Sequence, residues 1–169
     1  MDKNVIRNFI LEQLKQQHFK YETIMFSNEE EGIIDIRQMD SIDIIYKVHP
    51  KFVKIQANIQ FHEQYIDLLM FPTPNIVKEG NEIPIIIFFN YVNRIIKAFG
   101  HFYIDEYNDI AYALRINNEV FINNKEKMMS ELIEIPLSFY EDICEIIMDL
   151  ILEKIELNDA IHLINKKWS

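Results

Sequence analysis

The sequence predicts an α+β fold: an antiparallel sheet covered by an N-terminal, a central and a C-terminal helix. Three observations support this class. Residues 52–61 alternate between apolar and polar side chains, which is typical of a strand with one buried face. Apolar residues recur at helical spacing near both ends of the chain, and residues 83–100 are apolar on nearly every side in their first half. Strands joined by short links favour an antiparallel sheet, which such helices can cover.

Composition narrows the class of protein. The 169 residues are predicted to form one domain, 1–169, and the hydrophobic share of 49% is too high for a disordered chain. The formal charge of −10 argues against binding to nucleic acid or an anionic membrane. Only 3 glycines occur and no phosphate-binding motif is present, so we expect no cofactor. The N-terminus opens an amphipathic helix, not an apolar signal region, which predicts a cytoplasmic protein.

The first half of the chain is predicted to hold one helix and most of the strands. In the helix at residues 3–17, Arg7 is predicted on the polar side, and the buried stripe is formed by Val5, Ile6, Phe9, Ile10 and Leu14. Besides residues 52–61, we predict strands at 21–26, 33–38, 42–49 and 65–71, with a turn at 27–32 and a hairpin link at 62–64. Pro72, Pro74 and Gly80 predict a loop before the central helix.

The central segment, residues 83–100, is predicted to be a buried helix. Pro84 suits its first turn, Asn81 its N-cap, and Gly100 a left-handed residue after its end. A buried strand over residues 85–87 is the alternative, but polar residues recur at intervals of three and four, which favours a helix. The same polar residues would be costly in a bilayer. A helix apolar on so many sides should be covered on more than one of them.

The last third combines a hairpin with a long helix. Residues 101–105 and 110–116 predict two strands joined by a turn at 106–109. A further strand is expected at 119–123, followed by a loop or one helical turn over 124–131. Ser138 and Glu141 have the spacing of a capping box, which predicts that the last long helix begins there. Asn158 and Asp159 should break it and leave a short helix at 160–167.

An acidic row is the first candidate binding surface. The last long helix carries four acids at intervals of four residues: Glu141, Glu145, Asp149 and Glu153. Like charges at this spacing repel one another. Residues 131–159 contain nine acids and one lysine, so most of the net charge lies here. Two interpretations stay open: the row docks a basic segment of another protein, or it is a solvated face that keeps the protein soluble.

Three polar residues of the central helix form the second candidate, a ligand or dimer contact. They are Asn90, Asn93 and Arg94, which lie near one another at helical spacing. The alternatives for the two amides are that they satisfy backbone groups at a sheet edge or face water. A pocket beside these residues would suit a domain that senses a small molecule.

The sequence offers no signature of catalysis. No histidines are paired at metal-ligand spacing, so we expect no metal site. Cys144 lies among acids in the last helix and is interpreted as a packed thiol, not a nucleophile. No serine sits in a nucleophile elbow. We therefore predict no catalytic residue and a protein that is not an enzyme.

Three segments carry a resemblance to a known family. Residues 89–94, 99–105 and 135–138 resemble the asparagine-bearing helix, the glycine turn into a strand and the entry to the last helix of the YbjN-like family. These bacterial proteins are described as sensory transduction regulators, and their fold is similar to that of class I type III secretion chaperones. The resemblance implies a non-enzymatic role in binding another protein, and a homodimer. A small-molecule-sensing regulatory domain is the alternative.

Overall fold

The computed structural model describes residues 3–16, 21–24, 41–46, 54–73 and 77–169. The strand predicted at 33–38 and the turn at 27–32 lie outside these residues. The elements, in chain order, are α1 Lys3–Gln16, β1 Tyr21–Ile24, β2 Ser41–Tyr46, β3 Lys54–Phe61, β4 Tyr65–Thr73, α2 Glu82–Ile95, β5 His101–Ile104, β6 Ile110–Asn117, α3 Asn118–Asn123, α4 Lys125–Met129, a π-helical turn Ser130–Glu134, α5 Ile135–Ile151 and α6 Leu157–Lys167.

The predicted α+β class is confirmed. The described strands form one six-stranded sheet in the order β1-β2-β3-β4-β6-β5, and neighbouring strands are antiparallel. Alternate residues of β3 and β4 are buried, as the period-two pattern predicts. Their register places Ala57 opposite Met70, and Leu68 lies opposite Leu114 of β6. One face of the sheet therefore belongs to the core, and the opposite face carries polar side chains such as Asp67 and Arg115.

Pro72 was expected in a loop, but it lies in β4 opposite Ile55 of β3. The pairing of β4 with β6 ends at Met70, so the missing N–H of Pro72 interrupts no ladder with β6. Pro74 lies outside the described residues. Gly80 lies in the turn before α2 with a φ of 92°, a conformation that favours glycine.

Helix α1 packs on the core as predicted, except at Val5, which is 50% exposed, and at Arg7. Ile6, Ile10 and Leu14 are buried on the expected stripe. Arg7, predicted on the polar side, is only 5% exposed, since it adjoins Ile6 on the side of the helix that faces the protein. The ring of Phe9 meets the ring of Phe121 edge-on with a centroid distance of 6.1 Å, which joins α1 to α3.

Helix α2 is confirmed, with Asn81 at the N-cap position and Pro84 in the first turn as predicted, but its predicted C-terminal end is wrong. Asn81 makes no side-chain cap; its amide instead donates to the carbonyl of Ile151 at 3.2 Å. The helix ends at Ile95, and Ile96 has an extended backbone. Gly100 does not have the positive φ that was predicted. A glycine is needed here because the ring of Tyr112 leaves no space for a side chain. A Cβ at this position would lie 2.4 Å from the ring and the hydroxyl oxygen of Tyr112.

The strand predicted at 119–123 is wrong, since this segment is α3. Asn117 caps α3 by accepting a hydrogen bond from the N–H of Glu119 at 2.8 Å. The apolar residues of α3 suit a strand by composition, but a helix lets Phe121 be buried while Val120 faces solvent. A short turn separates α3 from α4, which leads through the π-helical turn into α5.

The starts predicted for the C-terminal helices are also wrong, whereas the last helix ends at Lys167 as predicted. Ser138 lies inside α5, which begins at Ile135 with Pro136 in its first turn. Asn158 and Asp159 lie in the first turn of α6; the helix break instead falls between Ile151 and Leu157. Among the described residues, no helix is both long and apolar enough to cross a membrane.

Candidate functional site

The outward side of α2 exposes three isoleucines. Ile85, Phe88, Phe89 and Val92 are buried, whereas Ile83 is 69% exposed and Ile86 and Ile87 are each 44% exposed. The prediction that α2 is covered on more than one side is therefore wrong for its first half. Exposed Asn90 lies on the same side, and exposed Arg94 and Lys97 follow toward the C-terminal end. We call Ile83, Ile86, Ile87 and Asn90 the α2 patch; apolar patches of this kind mark interaction sites.

The structure separates the three polar residues that were predicted to act together. Asn90 is exposed on the α2 patch. Asn93 turns toward β5, where its amide donates to the carbonyl of Phe102 and accepts from the N–H of Phe102, each at 2.8 Å. Arg94 lies over the ring of Tyr91 at 5.0 Å from its centroid. The two asparagines therefore do not converge on one pocket, which weakens the small-molecule alternative.

The acidic row is displayed on α5, with one exception. Glu141 and Glu145 are exposed one turn apart, and Asp149 forms an ion pair with Lys154 at 3.5 Å. Glu153 was predicted on the same helix, but α5 ends at Ile151 and Glu153 lies in the following turn with a φ of 55°. We call Glu141, Glu145 and Asp149 the acidic face.

Apolar side chains accompany the acids on this side of α5. Met148 follows Glu141 by seven residues and Glu145 by three, so all three lie on one helix face. Met148 is half-buried, and Leu152 just beyond the helix is 48% exposed. The surface therefore combines negative charge with accessible apolar area.

Asp142 has a separate role that the sequence analysis missed. Its carboxylate accepts from the indole N–H of Trp168 at 2.7 Å and pairs with Lys167 at 3.2 Å. The Trp168 ring also packs against Phe139 at 5.8 Å between centroids. These contacts tie the end of α6 to α5. The sequence offers one indication of this role. Asp142 lies outside the four-residue spacing of the acidic row, and residues 166–168 supply lysines and a tryptophan that can pair with a carboxylate.

The buried polar groups of the core act as structural groups. Tyr140 donates from its hydroxyl to the carbonyl of Met70 at 2.9 Å, and burial raises its pKa well above the ordinary value. The pKa of Tyr112 is also raised, first by burial and then by the nearby charge of Glu131. Cys144 is fully buried, as predicted for a packed thiol.

Within the described part of the chain, no three histidine, cysteine or acidic side chains are placed to share a metal ion. Phe102 is surrounded by the rings of Phe89, Tyr112 and Tyr140, whose centroids lie 5.0–5.4 Å from its own. This packing fills the space between α2, α5 and the sheet with aromatic side chains.

Comparisons with known proteins add little. No protein-family model matches the chain, and no curated protein matches it. A solved structure described as the crystal structure of the ExsC–ExsE complex is similar at 12% identity; the match covers 83% of this chain and 95% of that chain, with a TM-score of 0.42. A likeness this distant says nothing about partners or activity, and the resemblance to the YbjN-like family stays a prediction.

Proposed function

We propose that this chain is a non-enzymatic protein-binding domain whose acidic face receives a basic segment of another protein. The observation that carries the proposal is the exposure of Glu141 and Glu145 one turn apart on α5, beside half-buried Met148. Like charges at this spacing repel by about 0.2–0.5 kcal/mol per pair. A bound lysine or arginine would relieve that repulsion, and its aliphatic stem would cover apolar surface at Met148 and Leu152.

Affinity co-purification at low and moderate salt tests this proposal. We expect a stoichiometric partner whose recovery falls as salt rises, because exposed charges are screened within about 10 Å at 0.1 M salt. The double variant Glu141→Lys/Glu145→Lys should lose that partner. Its matched control is Glu119→Lys/Glu126→Lys, which changes the charge equally at two exposed acids on α3 and α4. A partner retained by the first variant, or lost equally from both, would refute the proposal.

We further propose that the α2 patch is the contact between two copies of this chain. The patch holds three exposed isoleucines, and its ends differ in charge. Lys78, Glu79 and Glu82 together give the start of α2 a net charge of −1, whereas Arg94 and Lys97 lie toward its C-terminal end. In an antiparallel, two-fold arrangement each basic end faces the acidic end of the other copy, so one surface complements itself. Such a contact would cover the isoleucines.

Sedimentation over a range of concentrations tests this contact. Ile86→Asp should weaken association, since it places a charge at the centre of the apolar surface. Val120→Asp is the matched control, because Val120 on α3 is 43% exposed and Ile86 is 44% exposed. A wild-type protein that stays monomeric throughout, or association that survives Ile86→Asp, would overturn this second proposal without touching the first.

A further inference from the structure

We infer that Asn93 closes the edge of the described sheet at β5 and prevents a second copy of this chain from adding its own β5 there. The described strand β5 is an edge strand, paired only with β6 in the sheet order. One side-chain amide satisfies both backbone groups of Phe102: Nδ2 of Asn93 donates to its carbonyl, and Oδ1 accepts from its N–H, each at 2.8 Å. An asparagine amide thus takes the place of a neighbouring strand's peptide group.

The register of the hairpin shows that these groups face outward. The N–H of Asp105 donates to the carbonyl of Asp109 at 3.0 Å, which places the backbone groups of residue 105 on the β6 side. Successive residues of a strand direct their N–H and C=O to opposite sides, so residues 101 and 103 also face β6 and residue 102 faces away. The backbone groups of Phe102 and of Ile104 therefore face outward, and Phe102 is one of the two positions in β5 at which an incoming strand would form a pair of hydrogen bonds.

The rest of β5 favours strand addition if the edge is open. Its four residues, His-Phe-Tyr-Ile, include no acid, lysine, arginine or proline, the residues that protect many natural edges. Aromatic and β-branched residues also have a high strand propensity. In an antiparallel arrangement two copies of β5 would pair with each other. Asn93 is the side chain that occupies this position within the described structure.

The amide is held in place by packing. Asn93 follows buried Val92 on α2 and lies one turn beyond buried Phe89, whose ring stacks on the ring of Phe102 at 5.4 Å between centroids. Phe102 therefore holds α2 against β5 through its ring, while its backbone groups bond the amide of Asn93. This role is independent of the acidic face and of the α2 patch.

Amide exchange measured by NMR tests the closure. In the wild-type protein the Phe102 amide should be protected despite its position at an edge, and a freely exchanging amide would overturn the inference at once. Asn93→Ala should exchange there about tenfold faster, the change expected for a lost hydrogen bond. Asn93→Asp keeps the acceptor and should preserve much of the protection. Asn123→Ala, an exposed asparagine on α3 that lies outside both proposed contact surfaces, is the control and should change nothing.

Sedimentation tests the consequence, in the Ile86→Asp background so that pairing through the α2 patch does not interfere. Asn93→Ala should then associate with rising concentration, and Phe102 should regain exchange protection in the associated form. A folded Asn93→Ala that stays as monomeric as its parent, or that associates with Phe102 still unprotected, would overturn the inference. Should Asn93→Ala fail to fold, Asn93→Leu decides: it is similar in size but makes neither hydrogen bond to Phe102, so it should associate more than its Ile86→Asp parent, and equal behaviour refutes the inference.

Discussion

Replacing Gly100 by alanine should destabilise the fold through one defined contact. The added Cβ would lie 2.4 Å from Cζ and the hydroxyl oxygen of Tyr112 and 2.6 Å from its Cε1. Cβ atoms do not approach other heavy atoms this closely, so the ring or the backbone must move. The ring has no room, since Tyr112 is fully buried and meets the ring of Phe102 at 5.0 Å between centroids.

Overpacking of a well-filled core costs about 1–3 kcal/mol. For a chain of this size that corresponds to a fall in Tm of roughly 2–12 °C. Thermal and urea unfolding of Gly100→Ala measure it. Gly80→Ala separates steric conflict from backbone strain, because a Cβ at Gly80 meets nothing within 4 Å while its φ is 92°.

A double-mutant cycle identifies the contact. If the conflict lies with the ring, Tyr112→Leu should make the further change of Gly100 to alanine less costly than it is in the wild-type background. Gly100→Ala with wild-type stability, or a penalty that is unchanged when the ring is removed, would refute this account of Gly100.

Three further predictions concern single groups. Asp105→Ala should lower the free energy of unfolding by about 1 kcal/mol and Asp105→Asn by much less, because the Oδ1 atom accepts from two backbone N–H groups of the hairpin turn, each at 2.9 Å. Equal urea midpoints for the two variants would contradict this. Trp168→Phe keeps an aromatic side chain beside Phe139 but loses the N–H donated to Asp142, so it should lower the free energy of unfolding by about 1 kcal/mol and loosen α6, which amide exchange would show. The pKa values of Tyr112 and Tyr140 are raised above their ordinary 10.0 in the folded protein. Their contribution to stability is therefore complete below pH 10 and is lost as pH rises beyond it. If all tyrosines, including these two, gave tyrosinate absorbance before the protein unfolds, this prediction would be contradicted.

Local patterns in the sequence were sufficient for several of the regular elements. The alternation in residues 52–61 predicted β3 and its buried face, because a strand's side chains alternate between faces. Helical spacing predicted α1 and the body of α2, and the hairpin β5–β6 followed from turn residues between two apolar runs. These features depend on interactions between residues close in the chain.

The helical segment from residue 118 to 134 shows where local patterns fail. Val120, Phe121 and Ile122 favour a strand by propensity, yet the segment forms α3. The cap at Asn117 and the burial of Phe121 against Phe9 decide the outcome, and the second of these contacts joins residues far apart in sequence. The start of α5 was missed for a related reason, since the helix is already formed by the turns that precede Ser138.

The sequence by itself determined the fold class, the buried stripe of most elements and the concentration of acids on the last long helix, because periodicity and charge are properties of neighbouring residues. Tertiary structure alone decided which side of α2 is left open and that Asn93 bonds the backbone of Phe102 while Asn90 faces solvent. It also placed Gly100 against Tyr112. Each of these outcomes depends on contacts between residues that are far apart in the sequence, and local sequence patterns do not show which distant residues come into contact.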